Sequence, residues 1–197
     1  MAQFSLFDSP IDLSHSFWEK LLCTSDKVID ATLGHGYDAM HVLKLIPEGF
    51  LYGFDIQKEA IDSTNMKLAP FFHNFKLFHQ SHESFPHEIK KESIKLIIYN
   101  LGYLPKGNKE LTTQAESTKQ SLNHALNLLC PSGAISIMIY TGHEAGEREE
   151  QVVLEWAHDL NKTDYLVTFH KLINRHKAPA LCVVQKKIKG VPDECCG

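Results

Sequence analysis

The chain has 197 residues, of which 43% are hydrophobic and 22% are charged. These values are typical of one globular domain with a sizeable core, and they exclude an intrinsically disordered chain. The net charge is −4 at pH 7. A broadly basic nucleic-acid-binding surface is therefore excluded, and any contact with RNA would depend on local basic patches.

Short apolar segments alternate with helical periodicities along the chain. Apolar runs predict strands at residues 28–31, 50–54, 75–78, 94–99, 134–140, 165–169 and 180–184. Amphipathic spacing predicts helices near residues 17–22, 39–46, 58–68, 113–129 and 153–160. This alternation predicts a single α/β domain with a mostly parallel, seven-stranded sheet and helices on both faces.

Local signals set the expected boundaries. Thr113 and Glu116 have the spacing of a capping box at the start of the helix at 113–129, and Pro131-Ser132-Gly133 predicts its end. We expect three parts in chain order: a helical segment at 1–27 packed on the sheet, the main domain at 28–186 and a flexible tail at 187–197.

The length of the apolar runs and the pattern of the cysteines indicate in which cellular compartment the protein is expected. No apolar run approaches the length that crosses a bilayer, and the first residues lack the basic and apolar regions of a signal peptide. The five cysteines are odd in number and irregularly spaced, which favours free thiols in a reducing environment. We therefore expect a cytoplasmic protein with no membrane partner.

A glycine-rich turn joins the first predicted strand to the next helix. It reads Asp30-Ala31-Thr32-Leu33-Gly34-His35-Gly36-Tyr37-Asp38. Glycines let the backbone turn tightly and approach a ligand, and a helix start presents free N–H groups. Asp30 followed by Gly34 and Gly36 forms the Asp-x-x-x-Gly-x-Gly pattern of S-adenosylmethionine enzymes, in which the acid and the turn hold the methionine end of the cofactor.

Asp55 ends the second predicted strand, 19 residues beyond Gly36 (55 − 36). A carboxylate there can accept hydrogen bonds from the ribose hydroxyls of NAD and S-adenosylmethionine alike. Gly34-x-Gly36-x-x-Ala39 also fits a dinucleotide pattern. The region therefore predicts a nucleoside cofactor, and Asp30 favours S-adenosylmethionine. The structural alternatives are a turn partner for Asp30 and a helix N-cap for Asp55.

Ser81 and His82 follow the third predicted strand, whose end lies beside the adenine in this type of fold. Both side chains could contact the base, or they could begin a loop in which Ser81 caps a short helix. His79 and His82 lack an obvious third ligand, so we expect no metal site.

Asn100 ends the fourth predicted strand and is expected near the methyl donor, because ligands lie at the carboxyl ends of parallel strands. Its side-chain carbonyl can accept a hydrogen bond from an attacking N–H, and Tyr103 can stack on a flipped-out base. We therefore predict Asn100 and Tyr103 as catalytic residues. The alternatives are a turn-stabilising Asn and a core Tyr, and for a general base Asp38, His143 and water stay open.

Several motifs occur in one order, and together they resemble the small bacterial YtqB-like family labelled rRNA methylases. Its members act as tRNA 5-(aminomethyl)-2-thiouridine methyltransferases (MnmM). The resemblance extends from about Trp18 to Gln185. The motifs are residues 30–38, Phe54-Asp55-Ile56-Gln57, Ser81-His82, residues 99–105, Thr112-Thr113, Gly142-His143 and Ile173-Asn174, of which Asn-Leu-Gly-Tyr-Leu-Pro at 100–105 is the specific part.

The resemblance implies a Rossmann-like class I S-adenosylmethionine-dependent methyltransferase. It would N-methylate the 5-aminomethyl group of 2-thiouridine at the tRNA wobble position, with the anticodon loop as partner. The predicted cofactor residues are Asp30, Thr32, Gly34, His35, Gly36, Asp38, Asp55, Ile56, Gln57, Ser81, His82, Asn100 and Leu101. The predicted substrate residues are Lys106, Lys109, Tyr140, His143, Asn174 and Arg175.

The chain departs from the family at two places. The family commonly has Gly-Asn-Gly where this chain has Gly34-His35-Gly36, and often Gly-Gly-Asp-Lys where it has residues 106–109. We expect His35 to change one side-chain contact to the cofactor while the backbone contacts survive, and the change at 106–109 falls in the loop that the resemblance assigns to RNA contact. Other hypotheses are an rRNA or other methyltransferase, an NAD(P)-dependent oxidoreductase on the same turn, and a non-catalytic RNA-binding module. A homodimer is left open.

Overall fold

The computed structural model describes residues 6–71, 73–102, 115–141, 144–175 and 178–188. Within these ranges the helices are α1 (Pro10–Leu21), α2 (Tyr37–Leu45), α3 (Lys58–Lys67), α4 (Ala115–Leu128) and α5 (Glu144–His158), with a 3₁₀ turn at Ala69–Phe71. The strands are β1 (Lys27–Asp30), β2 (Phe50–Asp55), β3 (Phe75–His79), β4 (Ile94–Leu101), β5 (Leu129–Ile139), β6 (Tyr165–His170) and β7 (Ala180–Lys186).

The strands form one seven-stranded sheet in the order β3-β2-β1-β4-β5-β7-β6. Neighbouring pairs from β3 to β5 are parallel, whereas β7 runs antiparallel to both β5 and β6. The predicted mostly parallel α/β fold is confirmed. The strand order reverses between β1 and β4, and open α/β sheets bind ligands at such a point, outside the carboxyl ends of the strands.

Alternating side chains of the central strands bury both faces of the sheet. On one face, Ile29 of β1 and Ile97 of β4 belong to a cluster that includes Trp156 of α5. On the other face, Val28 and Leu96 of the same strands pack in a cluster with α2. Because both faces are covered, these strands read as nearly continuous apolar runs, which is why the sequence predicts them.

Helix α1 begins with a local cap and packs on the sheet. Ser9 Oγ accepts a hydrogen bond from the Asp12 N–H at 3.2 Å, and Pro10 occupies the first helical position, where its missing N–H is not needed. Trp18 is 3% exposed and belongs to the apolar cluster with α2. The helix also contacts β5 and β7, so it covers one face of the sheet.

The junction between α4 and β5 corrects the sequence prediction. Leu129, predicted in the helix, begins β5, and Pro131-Ser132-Gly133, predicted to end the helix, lies within that strand. The helix ends at Leu128, whose carbonyl oxygen accepts a hydrogen bond from the Ser93 N–H at 3.0 Å. A bond from a distant segment has no local signature in the sequence.

Some predictions fall outside the described residues. Thr113, the predicted cap, precedes the described part of α4, and residues 189–197 of the predicted tail follow the last described residue. In the part of the chain that is described, no helix combines the length and apolar character needed to cross a membrane.

A chain of buried polar groups links β4, α4 and the loop after β3. Ser121 Oγ donates to the His82 carbonyl oxygen at 2.6 Å, so the Tyr99 hydroxyl, 2.8 Å from Ser121 Oγ, is the donor in that pair. The His82 ring lies edge-on to the Tyr99 ring with centroids 5.7 Å apart. Burial lowers the pKa of His82 to about 4, so a neutral imidazole forms part of the core.

Replacing His82 with Phe should flatten the acid side of the stability curve. The unfolded chain takes up a proton on His82 near pH 6.5, whereas the folded protein does so only near pH 4. Folded stability is therefore lost as the pH falls through this window, by on the order of 3 kcal/mol. Phe keeps a ring against Tyr99 and removes the titration. Urea unfolding at pH 4 to 7 should give a shallower slope for His82→Phe, and parallel curves would contradict the buried neutral state.

Candidate active site

The glycine turn bends sharply at the carboxyl end of β1. Gly34 and Gly36 have positive φ angles of 48° and 69°, a region that other residues rarely adopt. A Cβ on Gly36 would also lie 2.4 Å from Thr64 Cγ2. Conformation and space both require glycine at this position. Helix α2 begins directly after Gly36, and the first turn of a helix attracts anionic groups.

Helix α3 holds the glycine turn from outside. Thr64 Oγ1 donates to the Gly34 carbonyl oxygen at 3.0 Å, and Lys67 Nζ donates to the His35 carbonyl oxygen. Lys67 also lies over the Tyr37 ring, 3.5 Å from its centroid. The His35 side chain is exposed, and these bonds are made to backbone oxygens. The departure from Gly-Asn-Gly therefore leaves the backbone of the turn in place.

Asp30 is a buried carboxylate at the end of β1. Its Oδ1 accepts a hydrogen bond from the Thr32 N–H at 3.2 Å, whereas Oδ2 has no partner among the described residues. Burial, and next the Asp38 carboxylate, raise the pKa of Asp30 well above its usual range. A buried polar oxygen without a partner is costly and is satisfied by a donor or a cation. Asp30 Oδ2 can therefore accept a hydrogen bond from a ligand or pair with a cationic group of it.

Asp55 joins the glycine turn to the start of α3. Its Oδ2 accepts a hydrogen bond from the Gly34 N–H and its Oδ1 from the Gln57 N–H, both at 2.8 Å. Gln57, rather than Asp55, is the N-cap residue of α3. Each carboxylate oxygen can accept a second hydrogen bond. Asp55 can therefore hold the turn and still accept from two ribose hydroxyls.

Asn100 is fixed at the end of β4 by two hydrogen bonds to the glycine turn. Its N–H donates to Thr32 Oγ1 at 2.6 Å, and its side-chain Nδ2 donates to Asp38 Oδ2 at 2.8 Å. An ionised carboxylate can only accept hydrogen bonds, so the amide nitrogen of Asn100 must face Asp38. The Asn100 Oδ1 consequently points away from Asp38 and remains an acceptor at the carboxyl end of β4.

A residue that the sequence analysis missed reaches Asp38 from helix α1. His15 Nε2 lies 2.8 Å from Asp38 Oδ1, although 23 residues separate the two along the chain. No motif includes His15. The only sequence signal was its spacing of three residues from Trp18 (18 − 15), which places both on one helix face.

The remaining predicted cofactor residues follow β2 and β3 or, in the case of Leu101, end β4. Ile56 is 44% exposed, and Ser81 Oγ accepts a backbone N–H within its own turn at 3.2 Å, which is how a turn-capping residue behaves. The side chains of His82 and Leu101 are buried in the core. The structure thus gathers the Asp and Gly positions around the turn and places His82 and Leu101 beneath the protein surface.

Three of the predicted substrate residues are described, and they follow strands that end at this edge of the sheet: Tyr140, Asn174 and Arg175. Tyr140 follows β5, and its N–H donates to the Leu101 carbonyl oxygen at 3.2 Å. Burial, with a smaller contribution from Asp38, raises the pKa of Tyr140. Asn174 and Arg175 are exposed in the turn between β6 and β7. Four predicted residues lie outside the described residues: Tyr103, Lys106, Lys109 and His143.

The charge of this region fits a cofactor that carries a positive group. Three carboxylates lie near the turn: Asp30, Asp38 and Asp55. The negative charges of Asp38 and Asp55 add to the effect of burial and raise the pKa of Asp30. A bound cation would relieve that repulsion and satisfy Asp30 Oδ2, whereas a pyrophosphate would be repelled. In the described part of the chain, no three His, Cys, Asp or Glu side chains are grouped to hold a metal ion.

Comparison with known proteins places the chain in a family. Residues 51–186 match the family described as "Putative rRNA methylase". The chain belongs to this family. It is 33% identical over 188 residues to the chloroplastic tRNA (mnm(5)s(2)U34)-methyltransferase of Arabidopsis thaliana, a match that covers 89% of this chain and 69% of that protein.

Solved structures agree with the family. The "putative rRNA-methylase" of Clostridium thermocellum has a TM-score of 0.87 and 31% identity, over 91% of this chain and 98% of that one. A "putative methyltransferase" of Streptococcus mutans, crystallised in complex with S-adenosylhomocysteine, has a TM-score of 0.81 and 30% identity, over 91% and 99%. The predicted class I methyltransferase fold, enzyme class and S-adenosylmethionine cofactor are confirmed.

Substituting Asp30 with Asn should weaken cofactor binding and stabilise the cofactor-free protein. Because the folded-state pKa of Asp30 is raised, its ionisation costs folded stability as the pH rises above the usual Asp range, and neutral Asn avoids this cost. S-adenosylmethionine affinity should fall about tenfold, since a charge-assisted hydrogen bond contributes about 1.5 kcal/mol or more.

Titration calorimetry and thermal unfolding at pH 7 measure both effects of Asp30→Asn. S-adenosylhomocysteine is the matched ligand, because it keeps the ammonium group and lacks the sulfonium charge. An equal loss for both ligands identifies the ammonium as the partner, and a loss confined to S-adenosylmethionine identifies the sulfonium. Unchanged affinity for both ligands would contradict the role of Asp30.

Replacing Asp55 with Ala should weaken S-adenosylmethionine binding at least tenfold, because the ribose loses a charged acceptor and the Gly34 N–H loses its partner. Asp26→Ala is the matched control: Asp26 Oδ2 also accepts a backbone N–H, from Cys23 at 2.7 Å, but precedes β1 at the opposite end of the strand. Calorimetry should find the S-adenosylmethionine affinity of Asp26→Ala unchanged. Equal losses in the two variants would argue against a ribose site at Asp55.

Proposed function

We propose that this protein transfers a methyl group from S-adenosylmethionine to the 5-aminomethyl nitrogen of 2-thiouridine at the wobble position of tRNA. The observation that carries the proposal is the orientation of Asn100, whose Oδ1 is left as an acceptor because Nδ2 donates to Asp38. An acceptor at the carboxyl end of β4 suits the N–H of an incoming amine. The Arabidopsis relative, by its name, methylates this type of tRNA nucleoside.

When bound, S-adenosylmethionine supplies a methyl group activated by a positively charged sulfur, which leaves as a neutral thioether. The chain binds and orients the reactants. Asn100 Oδ1 accepts an N–H of the neutral amine and holds the nitrogen lone pair in line with the methyl carbon. The N–C bond forms as the S–C bond breaks, and the nitrogen then releases one proton.

The carboxylates near the turn stabilise the positive charge that develops on the amine nitrogen during methyl transfer. Positive charge passes from sulfur to nitrogen, and Asp38 lies within hydrogen-bond distance of the Asn100 amide that holds the amine. A preorganised negative charge next to the developing cation lowers the barrier.

The other hypotheses have less support. The family description favours rRNA as a second substrate class. A dinucleotide-dependent oxidoreductase would place a pyrophosphate at the glycine turn, near Asp30, where negative charge is already crowded. We also propose a cytoplasmic location, supported by the free thiols of Cys23, Cys130 and Cys182. A homodimer stays a prediction.

Deletion of the gene should leave the wobble nucleoside with an unmethylated aminomethyl group. Mass spectrometry of tRNA nucleosides from the deletion strain measures this directly, and rRNA nucleosides from the same strain test the second substrate class. Re-expression of the wild-type chain should restore the methyl group. A full methylaminomethyl level in the deletion strain would overturn the tRNA assignment, and a methyl group lost from rRNA instead would favour the alternative.

In the purified enzyme, Asn100→Ala should lower kcat about 100-fold with little change in S-adenosylmethionine affinity, because removing one oriented polar group in a catalytic site costs roughly 10²–10³ in rate. Initial rates with tRNA from the deletion strain measure kcat, and calorimetry measures affinity. A variant that keeps the wild-type kcat would rule out Asn100 as the residue that holds the amine.

A further inference from the structure

Three side chains form a continuous hydrogen-bonded chain from the first helix to the end of β4. His15 Nε2 lies 2.8 Å from Asp38 Oδ1, and the other oxygen of the same carboxylate, Oδ2, accepts Asn100 Nδ2 at 2.8 Å. Asp38 is thus held on both oxygens. His15 and Asp38 side chains are 25% and 19% exposed, so water competes weakly for these bonds.

The His15 ring is held in place by other rings. It stacks on the His41 ring of α2 with centroids 4.2 Å apart and planes 12° apart, and it contacts the Trp18 ring at 4.7 Å. Burial, and next the charge of His15, lower the pKa of His41. The stack therefore fixes the direction of the His15 Nε2 toward Asp38.

We infer that His15 is a positioning residue for methyl transfer, which acts through Asp38 to fix the side-chain amide of Asn100. Without His15, Asp38 can rotate to another side-chain conformer and release Asn100 Nδ2. The Asn100 Oδ1 would then lose its direction toward the amine. Small displacements of reacting groups cost large factors in rate.

The role of His15 would extend the site from the glycine turn to helix α1. The inference rests on the proposed function for the identity of the amine. The coupling of His15 to Asn100 is a property of this chain and is measured separately.

Two substitutions separate the hydrogen bond from the packing. His15→Phe keeps a ring for His41 and Trp18 and removes the Nε2 group, whereas His15→Gln keeps a donor near the Nε2 position and removes the ring. With tRNA from the deletion strain, His15→Phe should lower kcat about tenfold with S-adenosylmethionine affinity within twofold of wild type. His15→Gln should keep at least half of the wild-type kcat. A wild-type kcat in His15→Phe, or equal losses in both variants, would overturn the inference.

A double-mutant cycle tests the path through Asp38. Asp38→Asn alone should lower kcat, and adding His15→Phe to Asp38→Asn should cause no further loss, because the two residues act through one contact. If the two substitutions lower kcat by factors that multiply in the double variant, or if Asp38→Asn keeps the wild-type kcat, the inference is overturned. The Asp38→Asn arm leaves His15 intact and so gives an answer even if His15→Phe fails to fold.

The orientation of the Asn100 side-chain amide can also be measured by NMR, without catalytic turnover. The Nδ2 proton signals of Asn100 in nitrogen-15 NMR spectra, assigned by their loss in Asn100→Ala, should move in His15→Phe and stay in place in His15→Gln. Unmoved signals in His15→Phe would overturn the inference. If the wild-type enzyme methylates no tRNA, the proposed function fails, whereas the NMR result still decides whether His15 positions Asn100.

Discussion

The contact between the carboxyl ends of β1 and β4 is the constraint on which the site depends. The Ala31 N–H donates to the Ile98 carbonyl oxygen at 2.9 Å, and the Asn100 N–H donates to Thr32 Oγ1 at 2.6 Å across a separation of 68 residues. The glycine turn and the acceptor amide therefore meet only because the strand order reverses here. A register shift of one residue would turn Asn100 to the opposite face of the sheet.

The sequence predicts those parts of this arrangement whose signal lies within a short segment of the chain. Buried parallel strands such as 94–99 appear as apolar runs. The turn needs positive φ angles at positions 34 and 36, and the sequence signals this by placing glycine at both. The carboxylates Asp30 and Asp55 are predicted at the site because they end strands. Each of these signals lies within a few residues of the feature it predicts.

What the sequence did not predict depends on distant partners. His15 meets Asp38 only after α1 has packed on the sheet, and α4 ends at Leu128, whose carbonyl oxygen accepts a hydrogen bond from the distant Ser93 N–H. His82 was expected beside the adenine, yet its ring lies in the core against Tyr99. The position of a residue after a strand predicts proximity to the site, but the direction of its side chain is set by packing.

Helix α1 gives the molecule an order of assembly. It is the first described helix to leave the ribosome, yet it packs against β7, the last strand of the sheet. Contacts between segments so far apart in sequence form slowly, because a long loop must close before they are gained. The nascent chain can therefore complete the contact between α1 and β7 only after the whole sheet has been synthesised.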